Sequence, residues 1–189
     1  MLGAAEKTQH RGHRGRSTEN TEKRKELRLS KREEGKREGE GEKVEPAAGK
    51  DKTLGEHIRE VGSPAARLIG FEVPESGGGH AVVTLQAGPQ HANPMGTIHG
   101  GILCDIADAA MGIAFSSTLE PGETFTTVEL KINFLRPVRE AMLRAEGKVV
   151  HRGRTIGYVE CDVLDENGKL IAKSSSTCLV LRGEKAAGR

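Results

Sequence analysis

The chain is poor in aromatic residues: its 189 residues include four Phe, one Tyr and no Trp. None of the five falls in residues 1–50, so that stretch has nothing to stack on bases, as single-strand nucleic-acid binding requires. Cysteine is scarce as well. Cys104, Cys161 and Cys178 are odd in number and widely spaced. They form no CxxC and no zinc-ligand pattern, which argues against a disulfide framework or a metal site and points to reduced thiols. Long apolar runs are missing, and nothing approaches the ~20 residues that span a bilayer. The N-terminus lacks the apolar core of a secretory signal. Glu6, Glu19, Glu22 and Glu26 are out of place in a mitochondrial presequence. The expectation is a cytoplasmic protein with no membrane segment.

What is present is unevenly spread. Residues 1–50 carry 14 Lys/Arg and 10 Asp/Glu, a net of +4, with Met1, Leu2, Leu27, Leu29 and Val44 as their only large aliphatic residues. Residues 51–189 carry 15 basic and 17 acidic residues, a net of −2. The first segment has too little apolar surface to offset the entropy of ordering it. Three regions are therefore expected: a charged, disordered extension over 1–52, one folded domain over 53–182 and a short tail over 183–189. Glu is interleaved with Lys and Arg in the extension, so a nucleic-acid partner is not expected.

Within the domain, Thr53 followed by Glu56 opens a short helix over 53–62 with a capping-box pattern. Residues 66–73 and 79–87 read as strands joined by the turn-forming PESGGG. Residues 90–101 read as a loop ending in two glycines. Residues 102–120 have helical period and length, and PGE (121–123) stops them. Four strand-like runs follow, 124–136, 141–151, 155–165 and 169–182, with a hairpin turn at DENG (165–168). In the first of them Thr126, Val128, Leu130, Ile132 and Phe134 alternate with polar neighbours, a period of two. One long helix among antiparallel strands predicts an α+β domain whose sheet wraps that helix. Ile102, Leu103, Ile106, Ile113 and Phe115 are mixed with Ala and Gly on that helix, which reads as a buried helix rather than a surface one.

Asp108 lies in the middle of this apolar helix, with Asp105 three residues earlier. Buried carboxylates seldom stand without a partner, so the pair reads either as surface or interface acids or as one catalytic carboxylate. His99-Gly100-Gly101 opens the helix. Free N–H groups and the helix dipole at such an end suit an anion or a developing oxyanion. The plainer alternative is a glycine entry to an ordinary helix. From His99 to Asp108 a regular helix turns a net 180° and rises about 13.5 Å. The helix end and Asp108 of one chain therefore cannot meet at one carbonyl. If both act in one reaction, the site is built between two chains.

The run Asn93-Pro94-Met95-Gly96-Thr97-Ile98-His99-Gly100-Gly101, followed by Asp108 and by a strand ending Asn133-Phe134-Leu135-Arg136-Pro137, resembles the signature of hotdog-fold thioesterases of the PaaI (phenylacetate-degradation) type. The resemblance covers most of 55–182. It implies an antiparallel sheet wrapped around one long central helix, with chains paired as a homodimer and the dimers paired as a dimer of dimers. It implies hydrolysis of an acyl-CoA, so that CoA is part of the substrate and no separate cofactor is needed. Carried over by motif, Gly100 would offer its N–H to the thioester oxygen and Asn93 would help hold that oxygen or the water. His99 would support the turn. Asp108 of the partner chain would be general base or nucleophile, and Thr127 would hold the water, with Thr126 one residue away as its rival. Phe134, Arg136, Pro137 and Arg139, together with His151, Arg152, Gly153, Arg154 and Thr155, match segments that contact the CoA moiety. The arginines are the phosphate candidates.

Two other readings stay open. One is a hotdog hydratase or dehydratase, which needs an acid/base His with a carboxylate in the substrate tunnel; placing His99 in the HGG turn argues against it. The other is a non-catalytic acyl-CoA-binding or regulatory module, which has no need of a carboxylate beside a thioester. Cys104 reads as packing, since no base accompanies it.

Overall fold

Thr53 caps the first helix as its spacing from Glu56 predicts. In the computed structural model, which describes residues 53–186, Thr53 Oγ1 accepts the Glu56 N–H and the Glu56 carboxylate accepts the Thr53 N–H at 2.8 Å. This closes helix α1, Leu54–Val61. The expectations for the extension over 1–52 and for residues 187–189 lie outside the described residues. Residues 183–185 of the expected tail form one 3-10 turn after the last strand.

The next segment departs from expectation. Residues 66–73 do not form one strand: Pro64–Ile69 is helix α2, and strand β1 runs Phe71–Gly77. Ser63 accepts the Ala66 N–H, Pro64 occupies the first turn, and Gly70 ends the helix at φ 88°. A serine cap, an N-terminal proline and a left-handed glycine stop outweigh the strand preference of Leu68 and Ile69. PESG then continues β1 rather than turning. Pro74 is tolerated because β1 is an edge strand with a register shift between Glu72 and Glu75. The turn itself is Gly78–Gly79, both at positive φ, the geometry a two-residue hairpin favours.

Strands β2 (His80–Ala87), β3 (Glu123–Phe134), β4 (Ala141–Arg152), β5 (Ile156–Leu164) and β6 (Leu170–Arg182) complete one antiparallel sheet in the order β1-β2-β4-β5-β6-β3. The DENG turn holds as expected: Asp165 Oδ1 accepts the Asn167 and Lys169 N–H groups at 2.9 Å. Helix α3, Gly100–Ser116, packs into the concave face of the sheet. Ile106, Met111 and Phe115 meet Val83, Leu85, Leu143, Val159 and Val163 there, and each side chain so buried contributes about 1.5–3 kcal/mol. Among the described residues no helix is long and apolar enough to cross a membrane.

Two features of this packing position everything that follows. The first is the depth of α3. Gly147 of β4 lies directly on the Ala110 carbonyl, and Gly157 of β5 lies on the Phe115 ring; neither has room for a Cβ. The second is that the helix, buried as its composition suggested, leaves one stripe open. Asp105 and Asp108 are exposed on one stripe, flanked by half-buried Gly101, Cys104, Ala109 and Gly112. The sheet of one chain covers only part of the helix circumference.

Strand β3 also differs from a single alternation. A register shift falls between Thr127 and Glu129, so Val128 is an extra residue that points to solvent. Phe125 and Thr127 pair with Val180 and Cys178; beyond the bulge, Leu130, Ile132 and Phe134 pair with Ser176, Ser174 and Ala172. All five of those β6 partners are buried on the helix side. The bulge therefore places Thr127, not Thr126, on the same face as Leu130.

Substituting Gly147→Ala drives a methyl into the Ala110 backbone. The expected cost is about 2 kcal/mol or more, read as a lower urea midpoint.

Candidate active site

The loop before α3 is built from short-range hydrogen bonds. Asn93 Oδ1 accepts the N–H groups of Met95 at 2.9 Å and Thr97 at 3.3 Å, and Asn93 Nδ2 donates to Thr97 Oγ1 at 2.9 Å. Gly96 supplies the positive φ, 74°, that this tight turn needs. Ile98 N–H donates to the Val138 carbonyl and His99 N–H to the His91 carbonyl, at 2.7 and 2.8 Å. Thus Asn93 shapes its own turn, and one N–H of its amide is left to donate elsewhere.

His99 is the N-cap of α3. Its backbone is extended, and its Nδ1 accepts the Gly101 N–H at 2.9 Å. The neighbouring Gly100 N–H takes no hydrogen-bond partner among the described residues. The helix end thus presents one unpaired donor backed by the helix dipole. Phe134 lies over it: a Cβ on Gly100 would stand 2.9 Å from the tip of that ring. Glycine is required here for close approach rather than for an unusual φ.

Asp108 sits two turns further on. Because the helix begins at Gly100, the net rotation between Gly100 and Asp108 is nearer 80° than the 180° expected from His99. The axial separation, about 12 Å, is what keeps the two apart. Although Asp108 is open to solvent on the helix stripe, the surrounding protein removes part of its carboxyl's hydration; that desolvation, and then the charge of Asp105, pushes it above its ordinary value of 3.8. Cys178, the β6 residue that pairs with Thr127, has its thiol pushed up chiefly by burial and further by the Asp108 charge. Thr127 and Asp108 therefore share one neighbourhood. Burial, with Asp105 and Asp108 adding to it, also raises the Cys104 thiol, which disfavours a reactive thiolate.

The residues expected to meet CoA form two groups. Phe134, Arg136, Pro137 and Arg139 lie beside the helix start. Arg136 Nε donates to the Leu170 carbonyl at 3.2 Å and Arg139 Nη1 to the Gly96 carbonyl at 3.4 Å. Arg139 borders an open depression of about 430 Å³ whose other charged residues are Glu140, Asp165 and Glu166. His151, Gly153, Arg154 and Thr155 lie at the far end of β4, roughly 35 Å away along an extended strand. One chain does not bring the two groups together. Arg152 is not a free phosphate ligand within the chain: its guanidinium pairs with Glu123 at 2.7 Å and lies 5.4 Å above the Phe115 ring centre. Arg182 pairs with the same Glu123, whose carboxyl is held below its ordinary value. Burial alone would raise it, and the Glu120 backbone hydrogen bond and the two arginines outweigh that.

The motif reading passed over His91, a buried histidine at the base of the loop, and Thr97, the partner of the Asn93 amide. A histidine two residues before the Asn-Pro turn was the available signal for the first. No grouping of His, Cys, Asp and Glu able to hold a metal occurs among the described residues.

The family model described as the thioesterase superfamily matches residues 95–172. A relative in Saccharolobus solfataricus that carries the name of an esterase is 36% identical over 104 residues, 55% of this chain and 74% of that protein. The chain belongs to the thioesterase superfamily. The superfamily match takes in His99, Gly100, Asp108 and Thr127 and starts two residues after Asn93. The 1,4-dihydroxy-2-naphthoyl-CoA hydrolase of Listeria monocytogenes is 29% identical over 117 residues, 62% of this chain and 95% of that enzyme. The solved structure of the Escherichia coli PaaI protein superposes with a TM-score of 0.62 at 26% identity, over 68% of this chain and 92% of PaaI. One helix in a six-stranded antiparallel sheet is the hotdog architecture of those thioesterases.

A carboxyl whose pKa is raised on folding binds protons more tightly in the folded chain, so it costs stability as pH rises above 3.8. Asp108→Asn removes that cost. The variant is expected to melt higher than the wild type at neutral pH, with the gap closing in acid; calorimetry across pH checks it.

Proposed function

We propose that the chain hydrolyses an acyl-CoA thioester to the free acid and CoA, at a site shared by two subunits. The observation that carries this is the unpaired Gly100 N–H at the start of α3, on the same helix as a carboxyl raised in pKa. The names of the Listeria hydrolase and of PaaI, an acyl-coenzyme A thioesterase, supply the CoA thioester. The thioester oxygen accepts from Gly100 N–H and from the remaining Asn93 amide N–H. Asp108, acting as general base, takes a proton from a water held by Thr127, and that water adds to the carbonyl carbon. Charge collects on the oxygen beside Gly100, the C–S bond breaks, and the CoA sulfur leaves with the proton. A thioester carbonyl has little resonance to overcome. One oxyanion donor, worth about 10²–10³ in rate, and a base worth about 10²–10⁴ then suffice without a nucleophile triad.

Distances support the sharing. A carbonyl at Gly100 is about 12 Å from Asp108 of the same chain. Strand β3 is a sheet edge, and an edge invites pairing. Pairing two β3 edges antiparallel sets the Phe134 end of one chain beside the Glu123 end of the other, where Arg152 is tied. It draws the partner's 151–155 turn toward Phe134, Arg136 and Arg139, so the two separated CoA groups become one surface. The likeness to PaaI-type proteins extends the reading to two such dimers, a homotetramer, in the cytoplasm.

The first experiment is free-CoA release from phenylacetyl-, hydroxybenzoyl-, short-, medium- and long-chain acyl-CoA. Wild-type turnover with a loss of about 10² or more in Asp108→Asn is expected; acyl-CoA bound but not cleaved by the wild type would favour a binding module. Asp105→Asn removes a charge that raises the Asp108 pKa. The acid limb of kcat/KM should therefore move to lower pH, since the base works deprotonated.

Sharing has its own test. Gly100→Ala and Asp108→Asn chains, each inactive alone, are co-expressed. Random mixing should restore about a quarter of wild-type activity, because half the dimers are mixed and each has one intact site. A site contained in one chain recovers nothing.

A further inference from the structure

The loop that carries Asn93 and leads to Gly100 has one buried polar side chain, His91, which is 7% exposed. Its Nδ1 lies 3.2 Å from the Gly88 nitrogen and its Nε2 lies 2.9 Å from the Ile69 carbonyl. A backbone N–H can only donate, so Nδ1 is the unprotonated nitrogen. Nε2 then bears the hydrogen and donates to Ile69. This fixes a neutral imidazole in one tautomer and one orientation. The ring ties the end of β2 to the last turn of α2, which Gly70 terminates.

The backbone of the same residue closes the loop. His91 carbonyl accepts the His99 N–H at 2.8 Å, the Pro89–His91 3-10 turn precedes it, and Ala92 bridges Ile98 beyond it. Everything between these contacts hangs on that base: the Asn93 turn, the Thr97 hydroxyl that holds its amide, and His99, whose ring caps Gly101. Two further ties join the loop to the rest of the fold: Ile98, whose side chain is buried in the core and whose N–H donates to the Val138 carbonyl at 2.7 Å, and the long, exposed Arg139–Gly96 contact at 3.4 Å.

We infer that His91 is a positioning residue: its imidazole, bridging Gly88 N–H and Ile69 carbonyl, fixes the loop base so that the Asn93 amide and Gly100 N–H converge on one acyl oxygen. It touches no reacting atom. The inference rests on the thioesterase reading above and extends it to a residue outside the motif. Misplacing donors by about an ångström costs up to about 100-fold in rate, whereas a ring that only filled space would cost stability.

The test uses full-length His91→Ala, His91→Asn and His91→Gln. Asn keeps an acceptor near Nδ1 for Gly88, Gln keeps a donor near Nε2 for Ile69, and Ala keeps neither. The expected result is a folded His91→Ala protein with kcat down about 10- to 100-fold and KM nearly unchanged. Its Thr97 and Gly101 amides should exchange faster by hydrogen–deuterium exchange, with the Asn and Gln variants in between. An unchanged kcat per folded molecule in all three, with only the melting temperature lowered, overturns it. So does unchanged exchange of those amides. If the wild type cleaves no acyl-CoA, the thioesterase reading fails on that result alone, and the amide exchange of the three variants still decides whether His91 sets the loop. Should His91→Ala fail to fold, the Asn and Gln variants give the same readings.

Discussion

The depth at which α3 sits in the sheet is the constraint on which the rest depends. Gly147 lies against the Ala110 carbonyl and Gly157 against the Phe115 ring, so strand backbone and helix meet with no side chain between them. That contact fixes the helix along its length. The start of α3 then falls under Phe134, and Asp108 falls near enough to β6 for its charge to act on the Cys178 thiol. A bulkier residue at either glycine would lift the helix and move both ends of the proposed chemistry at once. The alanines of the helix, which say little about function when read singly, are what make the approach close.

On this rigid scaffold the groups that matter are the ones left unsatisfied. Gly101 has its N–H taken by the His99 ring, Asn93 spends most of its amide on its own turn, and Arg152 is held by Glu123. Beside the buried Arg152 Nε, itself without a partner, stand the Gly100 N–H, a donor without an acceptor among the described residues, and the Asp108 carboxyl, an acid with a like charge for a neighbour. Folding alone gains nothing from the last two, and sites of chemistry are where such costs are kept.

Much of this was legible in the sequence because it is local. The Thr53 box, the DENG turn, the long helix and the four closing strands follow from caps, turn residues and periodicity, all short-range signals. What escaped depended on more than one segment. Ser63, Pro64 and Gly70 are a complete set of helix brackets, yet the apolar run between them reads equally well as strand. The open stripe of α3 escaped because composition reports how apolar a helix is, not how much of its circumference a single sheet can cover. The pairing of Arg152 with Glu123, 29 positions earlier, and the bridging role of His91 require the fold itself. Among the candidate site residues, the HGG turn and Asp108 stand out as a pattern and Thr127 comes from the resemblance; what awaited the fold is the bulge that puts Thr127 on the same face of β3 as Leu130.

That bulge changes how this strand is to be counted. With Val128 turned out, β3 is two alternating segments in opposite phase, Phe125–Thr127 and Leu130–Phe134, joined by one uncounted residue. A sequence with the same residue types but one position fewer at this point would keep its hydrophobic alternation unbroken. Its counterparts of Phe125, Thr127, Leu130, Ile132 and Phe134 would then share one phase and face the helix with no bulge at all. Aligned on Leu130 without a gap, such a chain sets its threonine against Val128 instead of Thr127; the gap belongs at Val128, where length rather than identity carries the information.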